Sequence, residues 1–367
     1  MSRALSDAER RAWLRLARTQ NVGPVTFANL ISRYPNPIDA LAAVPHLARR
    51  GGGNELRVPS DDDARKELDT LGRLGGRMIA SIEPEFPQGL AALEAPPPLI
   101  NTLGHVSLLQ RDMVAIVGAR NASALGRKFA QTIARELGEA NLVIASGLAR
   151  GIDTAAHEGS LKTGTCAVVA GGIDIVYPPE NQALYERIRA EGAIVSEMPV
   201  SQAPQARHFP RRNRFIAGLA RRGIIVEAAE GSGSLITANY ALEQNREIFA
   251  VPGSPLDPRA KGTNRLIREG ATLTETAQDV LNVLRPILGG SFREPDSAMR
   301  GGDITATEAD TDRIRKQIVE LLGPAPVDVD ELIRQTEAPV GAMLTVLLEL
   351  ELAGRLMRHP GNKVSFA

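Results

Sequence analysis

The chain has 367 residues, room for about two or three domains. Its 43 Lys and Arg are matched by 43 Asp and Glu. That zero balance excludes a protein that coats nucleic acid by bulk charge, but it leaves room for a local basic patch. A hydrophobic share of 43% argues against global disorder. One cysteine, Cys166, excludes a disulfide framework and a cysteine-based zinc site, and 5 scattered histidines argue against a metal enzyme. The N-terminal segment lacks the apolar region of a signal peptide, and no apolar run reaches about 18 residues. A soluble, cytoplasmic protein without membrane insertion is expected.

Three zones follow in chain order. Residues 1–72 show helical periodicity at Trp13, Leu14, Leu16 and Ala17, then at Phe27, Leu30 and Ile31, and again at Leu41 and Leu47. Asn21-Val22-Gly23-Pro24 is a helix stop and restart. A small helical bundle is predicted, with Gly51-Gly52-Gly53 and Asp61-Asp62-Asp63 as loose, solvated stretches near its end. Residues 76–287 change rhythm. Strands are predicted at Met113–Val117, Leu142–Ala145, Thr165–Ala170, Ala193–Ser196, Gly223–Val226 and Glu247–Val251. Helices are predicted between them at Gly126–Ala140, Thr154–Thr163, Asn181–Glu191, Asn213–Arg221 and Leu235–Gln244. This alternation reads as an α/β fold with a parallel, doubly wound sheet, and apolar runs without strict alternation fit strands buried on both faces. Residues 288–312 form a Gly-, Ser- and acid-rich linker expected to be mobile. Within 313–367, helices around Ile314–Leu322, Val329–Ile333 and Val340–Leu352 precede two short strands around Pro360-Gly361-Asn362. That order is the order of a winged-helix module.

In open α/β sheets, ligands sit beyond the carboxyl ends of the strands. The first predicted strand leads into Gly118, Arg120 and Ser123, where glycine admits a ligand to the backbone, the helix N-terminus offers free N–H groups and Arg120 suits a phosphate. The second ends Ser146-Gly147-Leu148-Ala149-Arg150-Gly151-Ile152-Asp153, with Asp153 placed to cap the next helix. His157, one turn on, reads as a helix-face histidine because no partner for a general base is evident. The third and fourth end in Gly171-Gly172-Ile173-Asp174, followed by Tyr177-Pro178-Pro179, and in Ser196-Glu197. From Met198 to Val226 there is no acidic residue, while Arg207, Arg211, Arg212, Arg214, Arg221 and Arg222 fall within it. Arginines interleaved with an aromatic suit a single-stranded nucleic acid: guanidinium groups hold phosphates and a ring stacks a base. Phe209, before the predicted helix, is the stacking candidate, and Phe215 belongs to the core. The fifth strand ends near Gly231-Ser232-Gly233-Ser234, small enough for close approach to a phosphate, and Lys261 and Asn264 add donors after the sixth. No carboxylate pair, Ser–His–Asp set or metal-ligand spacing appears.

VGAR, SGLARGID, GGID followed by YPPEN, HFPRRNRFIAGL, EGSGSLITANYAL, FAVPG and KGTNRLIREGA occur in this order. Together they resemble the DNA-processing protein A family. The likeness covers the second zone. The flanks resemble the family's helical SAM-like domain and the winged-helix domain of some members. The resemblance implies an extended Rossmann-like fold, a homodimer, single-stranded DNA as ligand, and a role in natural transformation that protects incoming strands and helps load the RecA recombinase, with no cofactor. It places the DNA-binding motifs on Gly118, Arg120, Ser146, Gly147, Arg150, Phe209, Arg212, Asn213, Arg214, Gly231, Ser232, Gly233, Ser234, Lys261 and Asn264. The neighbouring Arg207 and Arg211 join them on charge alone. The family's Gly-Ser-Arg reads Gly118-Ala119-Arg120 here, which loses a hydroxyl and keeps the arginine.

Two other functions compete. Nucleoside-monophosphate phosphoribohydrolases share the fold, but Thr237 stands where they carry the glutamate that N-glycosidic cleavage requires. A winged-helix regulator would bring basic or amide side chains to base edges. No basic residue lies between Pro339 and Gly354, which favours a protein-docking or weak accessory role for that module.

Overall fold

The computed structural model describes residues 3–53, 56–284, 308–359 and 361–367. Most of the expected linker and Pro360 of the expected turn lie outside the described residues. The chain divides into two compact units, one of residues 1–4 with 66–295 and one of residues 5–65 with 296–367.

The first unit is built on a nine-stranded sheet. Its strands are β1 Arg77–Ala80, β2 Leu99–Gly104, β3 Met113–Gly118, β4 Val143–Ser146, β5 Thr165–Val168, β6 Ala193–Ser196, β7 Arg222–Val226, β8 Glu247–Ala250 and β9 Thr272–Leu273. Their order is β1-β2-β6-β5-β4-β3-β7-β8-β9. The strands from β6 across to β9 are mutually parallel, with Ala115 of β3 opposite Gly223 of β7. Strand β2 pairs antiparallel with β6 and with β1, so the sheet is mixed rather than wholly parallel. The sequence pattern misses β1, β2 and β9 because β1 and β9 are short and β2 carries Asn101 and Thr102 in a buried run. Asn101 is accommodated by donating its side-chain amide to the Met198 carbonyl at 3.0 Å.

Alternation along β3 explains the double winding. Ala115 and Val117 face a core shared with Phe215, Ile216, Leu219, Leu235 and Ala238. Val114 and Ile116 face the opposite core, with Ile133, Leu137, Ile152, Ala156 and Val280. Successive side chains on a strand point to opposite faces, so helices Ala124–Glu139 and Ile152–Ser160 cover one side and His208–Leu219 and Gly233–Glu243 the other. The basic helix starts at His208, earlier than the predicted Asn213. Pro210 sits in its first turn, where a missing N–H costs no helical hydrogen bond.

The second unit joins the two ends of the sequence. Helices Asp7–Arg18, Pro24–Arg33 and Pro37–Arg50 form the bundle, with a Ser6/Glu9 capping box and Trp13 edge-on to Phe27 at 4.9 Å. Asp61, Asp62 and Asp63 are not loose: they form the first turn of helix Asp61–Arg73, where carboxylates suit the helix dipole. Ser60 caps that helix, accepting from the Asp63 N–H at 3.1 Å. Helices Glu308–Leu321, Val329–Thr336 and Val340–Leu352 precede a small antiparallel sheet, ordered Val327–Asp328, Lys363–Phe366, Leu356–His359. The first of these helices begins inside the segment expected to be linker. Gly51 and Gly53 are likewise packed rather than solvated. A Cβ on Gly51 would lie 2.0 Å from the Glu349 carbonyl oxygen, and one on Gly53 2.7 Å from Ala353 Cα. No described helix is long and apolar enough to cross a membrane.

Candidate nucleic-acid interface

The strand order reverses at β3, which lies between β4 and β7, and loops at the carboxyl ends of these strands diverge there. The loops after β3 and β4 are locked together. Gly151 has φ +77°, and a Cβ there would lie 2.3 Å from the Ala119 carbonyl and 2.6 Å from that of Arg120. Only glycine meets both demands, and the result fixes the backbone that carries Arg120. The Ile152 N–H closes the contact on the Ala119 carbonyl at 3.2 Å.

Arg212 reaches this junction from the helix beneath it. Its side chain is only 7% exposed and its Nη1 lies 3.7 Å from Asp153 Oδ2. Asp153 also accepts the N–H groups of Gly147, at 3.1 Å, and Ala149, at 3.3 Å. It therefore ties the loop after β4 to the arginine rather than capping its helix. Burial pushes the Asp153 carboxyl above its ordinary range, and Arg212 with the two N–H groups pulls back against it. Burial likewise lowers Arg212, opposed by Asp153, although a guanidinium remains charged at neutral pH.

Phe209 precedes Arg212 by three residues, so the two share a helix face. The Arg212 guanidinium carbon lies 5.9 Å from the Phe209 ring centroid, and that of Arg120 lies 5.7 Å away. Tyr177 meets the same ring at 5.5 Å with the planes tilted by 59°. Tyr177 is 48% exposed, so this aromatic pair is open to solvent on the tyrosine side. Tyr177 is absent from the expected site residues because, taken alone, Tyr177-Pro178-Pro179 is a weak signal. It lies in the segment between β5 and the turn at Pro179–Asn181, on the carboxyl-end side of the parallel sheet.

The other predicted residues divide into groups. Arg207 and Lys261 are exposed. Arg150 is exposed and ion-paired with Glu180, and exposed Arg211 pairs with Glu197 at 2.9 Å. Gly231, Ser232, Gly233 and Ser234 form the start of helix Gly233–Glu243, with Ser232 as the cap and the two hydroxyls 2.8 Å apart. Asn213 donates to the Gly233 carbonyl at 3.1 Å, which brings this turn against the basic helix. Asn264 bonds both backbone groups of Gly253, an arrangement that holds a loop.

Three expectations change. Ser146 is fully buried and donates to the Ile116 carbonyl at 2.6 Å, so it braces β4 against β3. Arg214 follows Arg212 by two residues, about 200° around the helix. Its guanidinium donates to the Ala95 carbonyl at 2.5 Å, apart from the Phe209 cluster. The N-terminus of helix Ala124–Glu139 is not open to an outside anion, because the Glu227 carboxylate accepts from the Ser123 N–H at 2.9 Å and from its hydroxyl. His157 is buried against Thr165 at 2.7 Å, and burial beside Arg212 lowers it to about 3, which keeps it neutral.

These features define a class: a mixed, doubly wound Rossmann-like sheet whose strand ends carry an arginine–aromatic cluster, with a helical bundle and a winged helix joined to it. Three family profiles match the chain: "DNA recombination-mediator protein A" over residues 77–285, "DprA-like N-terminal HHH domain" over 7–70 and "DprA winged helix domain" over 304–362. The chain belongs to the DNA-processing protein A family. Protein Smf of Synechocystis sp. is 31% identical over 394 residues, covering 98% of this chain and 99% of that one. DNA processing protein DprA of Streptococcus pneumoniae is 44% identical over 198 residues, covering 53% of this chain and 70% of its own. The solved S. pneumoniae structure matches with TM-score 0.61 and 32% identity, over 77% of this chain and 98% of that one. A Helicobacter pylori DprA structure, described for its single-stranded DNA binding mode, matches with TM-score 0.53 and 30% identity, over 58% of this chain and 97% of that one.

Proposed function

We propose that this protein binds single-stranded DNA at the carboxyl ends of β3, β4 and β7, without catalysis. The observation that carries the reading is the cluster of Phe209 and Tyr177 with the Arg120 and Arg212 guanidinium groups. Arginines at a fixed spacing from aromatic rings supply phosphate and base contacts together, and neither depends on base identity. Gly231 and Gly233 have open space where a Cβ would stand, which lets a backbone approach that turn, while Gly118 and Gly147 make room for β7 and for the Arg212 guanidinium. Arg150, Arg207, Arg211 and Lys261 are exposed around the cluster. Arg212 is the fixed member, and Arg120 the more exposed one. Two nearby carboxylates are already engaged, Asp153 by Arg212 and the loop amides and Glu227 by Ser123. Thr237, where a hydrolase would carry glutamate, is buried. Both facts favour a binding role over N-glycosidic cleavage.

In this reading the protein acts as a homodimer in the cytoplasm. It protects incoming strands during natural transformation and helps load RecA, as the family likeness suggests. Titration of labelled oligo(dT) and of a duplex of equal length tests the binding claim. Tighter binding to the single strand, weakening with salt, is expected, and equal affinity for the duplex would refute it. A filament assay on a strand already covered by single-strand-binding protein tests the loading claim: RecA coats the strand faster with this protein present, and no acceleration would refute that role.

A further inference from the structure

The winged-helix module has a third helix of unusual character. Val340–Leu352 buries Ala342, Met343, Val346, Leu347, Leu348, Leu350 and Leu352, residues distributed around the whole helix. A helix that is apolar all round is a buried one. Its only charged side chains are Glu349 and Glu351, so it offers no donor suited to guanine or adenine edges. The module's own core, with Ile314, Ile318 and Leu332, accounts for one side. The other side meets the N-terminal bundle.

Polar contacts at that meeting are specific. The Glu349 side chain is 0% exposed and takes Arg50 Nε at 3.1 Å and Arg315 Nη2 at 2.5 Å. Arg50 ends the helix Pro37–Arg50 of the bundle, and Arg315 belongs to the first helix of the winged module. Arg50 also donates to the Thr311 hydroxyl at 3.0 Å. Asn21 donates to the Leu352 carbonyl at 3.2 Å. Gly51 and Gly53 let the two backbones approach as described, and their replacement by any other residue would drive a Cβ into Glu349 or Ala353.

We infer that the third helix of the winged module is an internal docking face whose partner is the chain's own N-terminal helical bundle. The module is a clasp that closes the two ends of the sequence into one folding unit, and this face is not available to read duplex DNA. A buried carboxylate shared by two arginines is a device of register more than of strength. It specifies one packing and penalises others, because either partner left alone is a buried unpaired charge.

The inference is independent of the single-strand reading, and the chain carries its own reporter. Trp13 is the sole tryptophan and lies buried in the bundle, away in sequence from the winged module. The full-length protein is melted while Trp13 fluorescence is followed, for the natural chain and for Gly51→Ala, Glu349→Gln and Gly72→Ala. Gly51 has φ −70° and ψ −2°, which alanine adopts freely, so without the clasp Gly51→Ala would be neutral or mildly stabilising. With the clasp, Gly51→Ala and Glu349→Gln each lower the Trp13 midpoint by more than about 5 °C. Gly72→Ala is the control: it lies in a helix with nothing within 4 Å of its Cβ, and the midpoint stays or rises. If Glu349→Gln fails to fold, Gly51→Ala decides alone. A Trp13 midpoint unmoved by Gly51→Ala overturns the clasp.

Discussion

Replacing Gly147 by alanine tests how Arg212 is held. A Cβ at position 147 would fall 1.2 Å from Arg212 Nη1, 2.4 Å from its Cζ and 2.8 Å from Asp153 Oδ2. No rotation of the methyl relieves this, so the guanidinium must leave. Two contacts go with it, the pairing to Asp153 at 3.7 Å and the approach to Phe209 at 5.9 Å, together with the phosphate contact proposed for this arginine. A hydrogen bond to a charged group contributes about 1.5–3 kcal/mol. Affinity for oligo(dT) should therefore fall by about 10- to 150-fold at fixed salt. Breaking a buried pair costs up to about 3–5 kcal/mol of stability. Here the loss should be below that, because Asp153 keeps its backbone donors and the displaced arginine reaches water. Fluorescence anisotropy with labelled oligo(dT), run beside a thermal melt, separates the two effects. Affinity unchanged within twofold in a folded Gly147→Ala protein would refute the idea that Arg212 acts from this position.

Two further outcomes are expected. Arg214→Ala should leave single-strand affinity within about threefold of the natural chain, because its guanidinium serves the Ala95 carbonyl across the helix from Arg212; anisotropy checks this, and a loss matching that of Arg212→Ala would place Arg214 in the DNA site. His157 is held neutral, lowered from 6.5 to about 3. The unfolded chain then binds the extra proton below pH 6.5, so folding stability falls with acid at about 1.4 kcal/mol per pH unit from this residue until about pH 3. Urea unfolding at a series of pH values should show this slope reduced in His157→Gln, and an unchanged slope would contradict it.

How far the sequence carried the fold follows from where each segment gets its order. Six of the seven parallel strands were legible because runs such as Ala115-Ile116-Val117 and Ile224-Ile225-Val226 are buried on both faces and carry no polar interruption, whereas β9, two residues long and partly exposed, was not. Strand β2 was not, because Asn101 finds its partner at Met198, 97 residues away. Local pattern cannot register a contact of that range. The glycine triplet at 51–53 has the same cause in reverse. It has the composition of a loose loop, and its real constraint is the backbone of Glu349 and Ala353, remote in sequence.

The candidate site was legible in type and less so in arrangement. Charge placement around Arg207–Arg214 pointed to a basic surface, and it could not say which arginine faces inward. Helical spacing separates them: Arg212 shares a face with Phe209, and Arg214 turns away. The sequence places Asp153 as a cap, whereas the structure makes it the counter-charge of Arg212, a pairing that exists only once the loop after β4 and the basic helix meet. Ser146 matched a motif and proved to be a strand brace.

The central claim is that Arg120 and Arg212 hold phosphates of a single strand. The most direct measurement is the salt dependence of oligo(dT) binding for the natural protein, Arg120→Ala and Arg212→Ala. Each phosphate contact on a single strand contributes about 0.7 to the slope of log affinity against log salt. Each substitution should weaken binding and flatten that slope by about 0.7. Slopes and affinities equal to those of the natural protein in both variants would contradict the account.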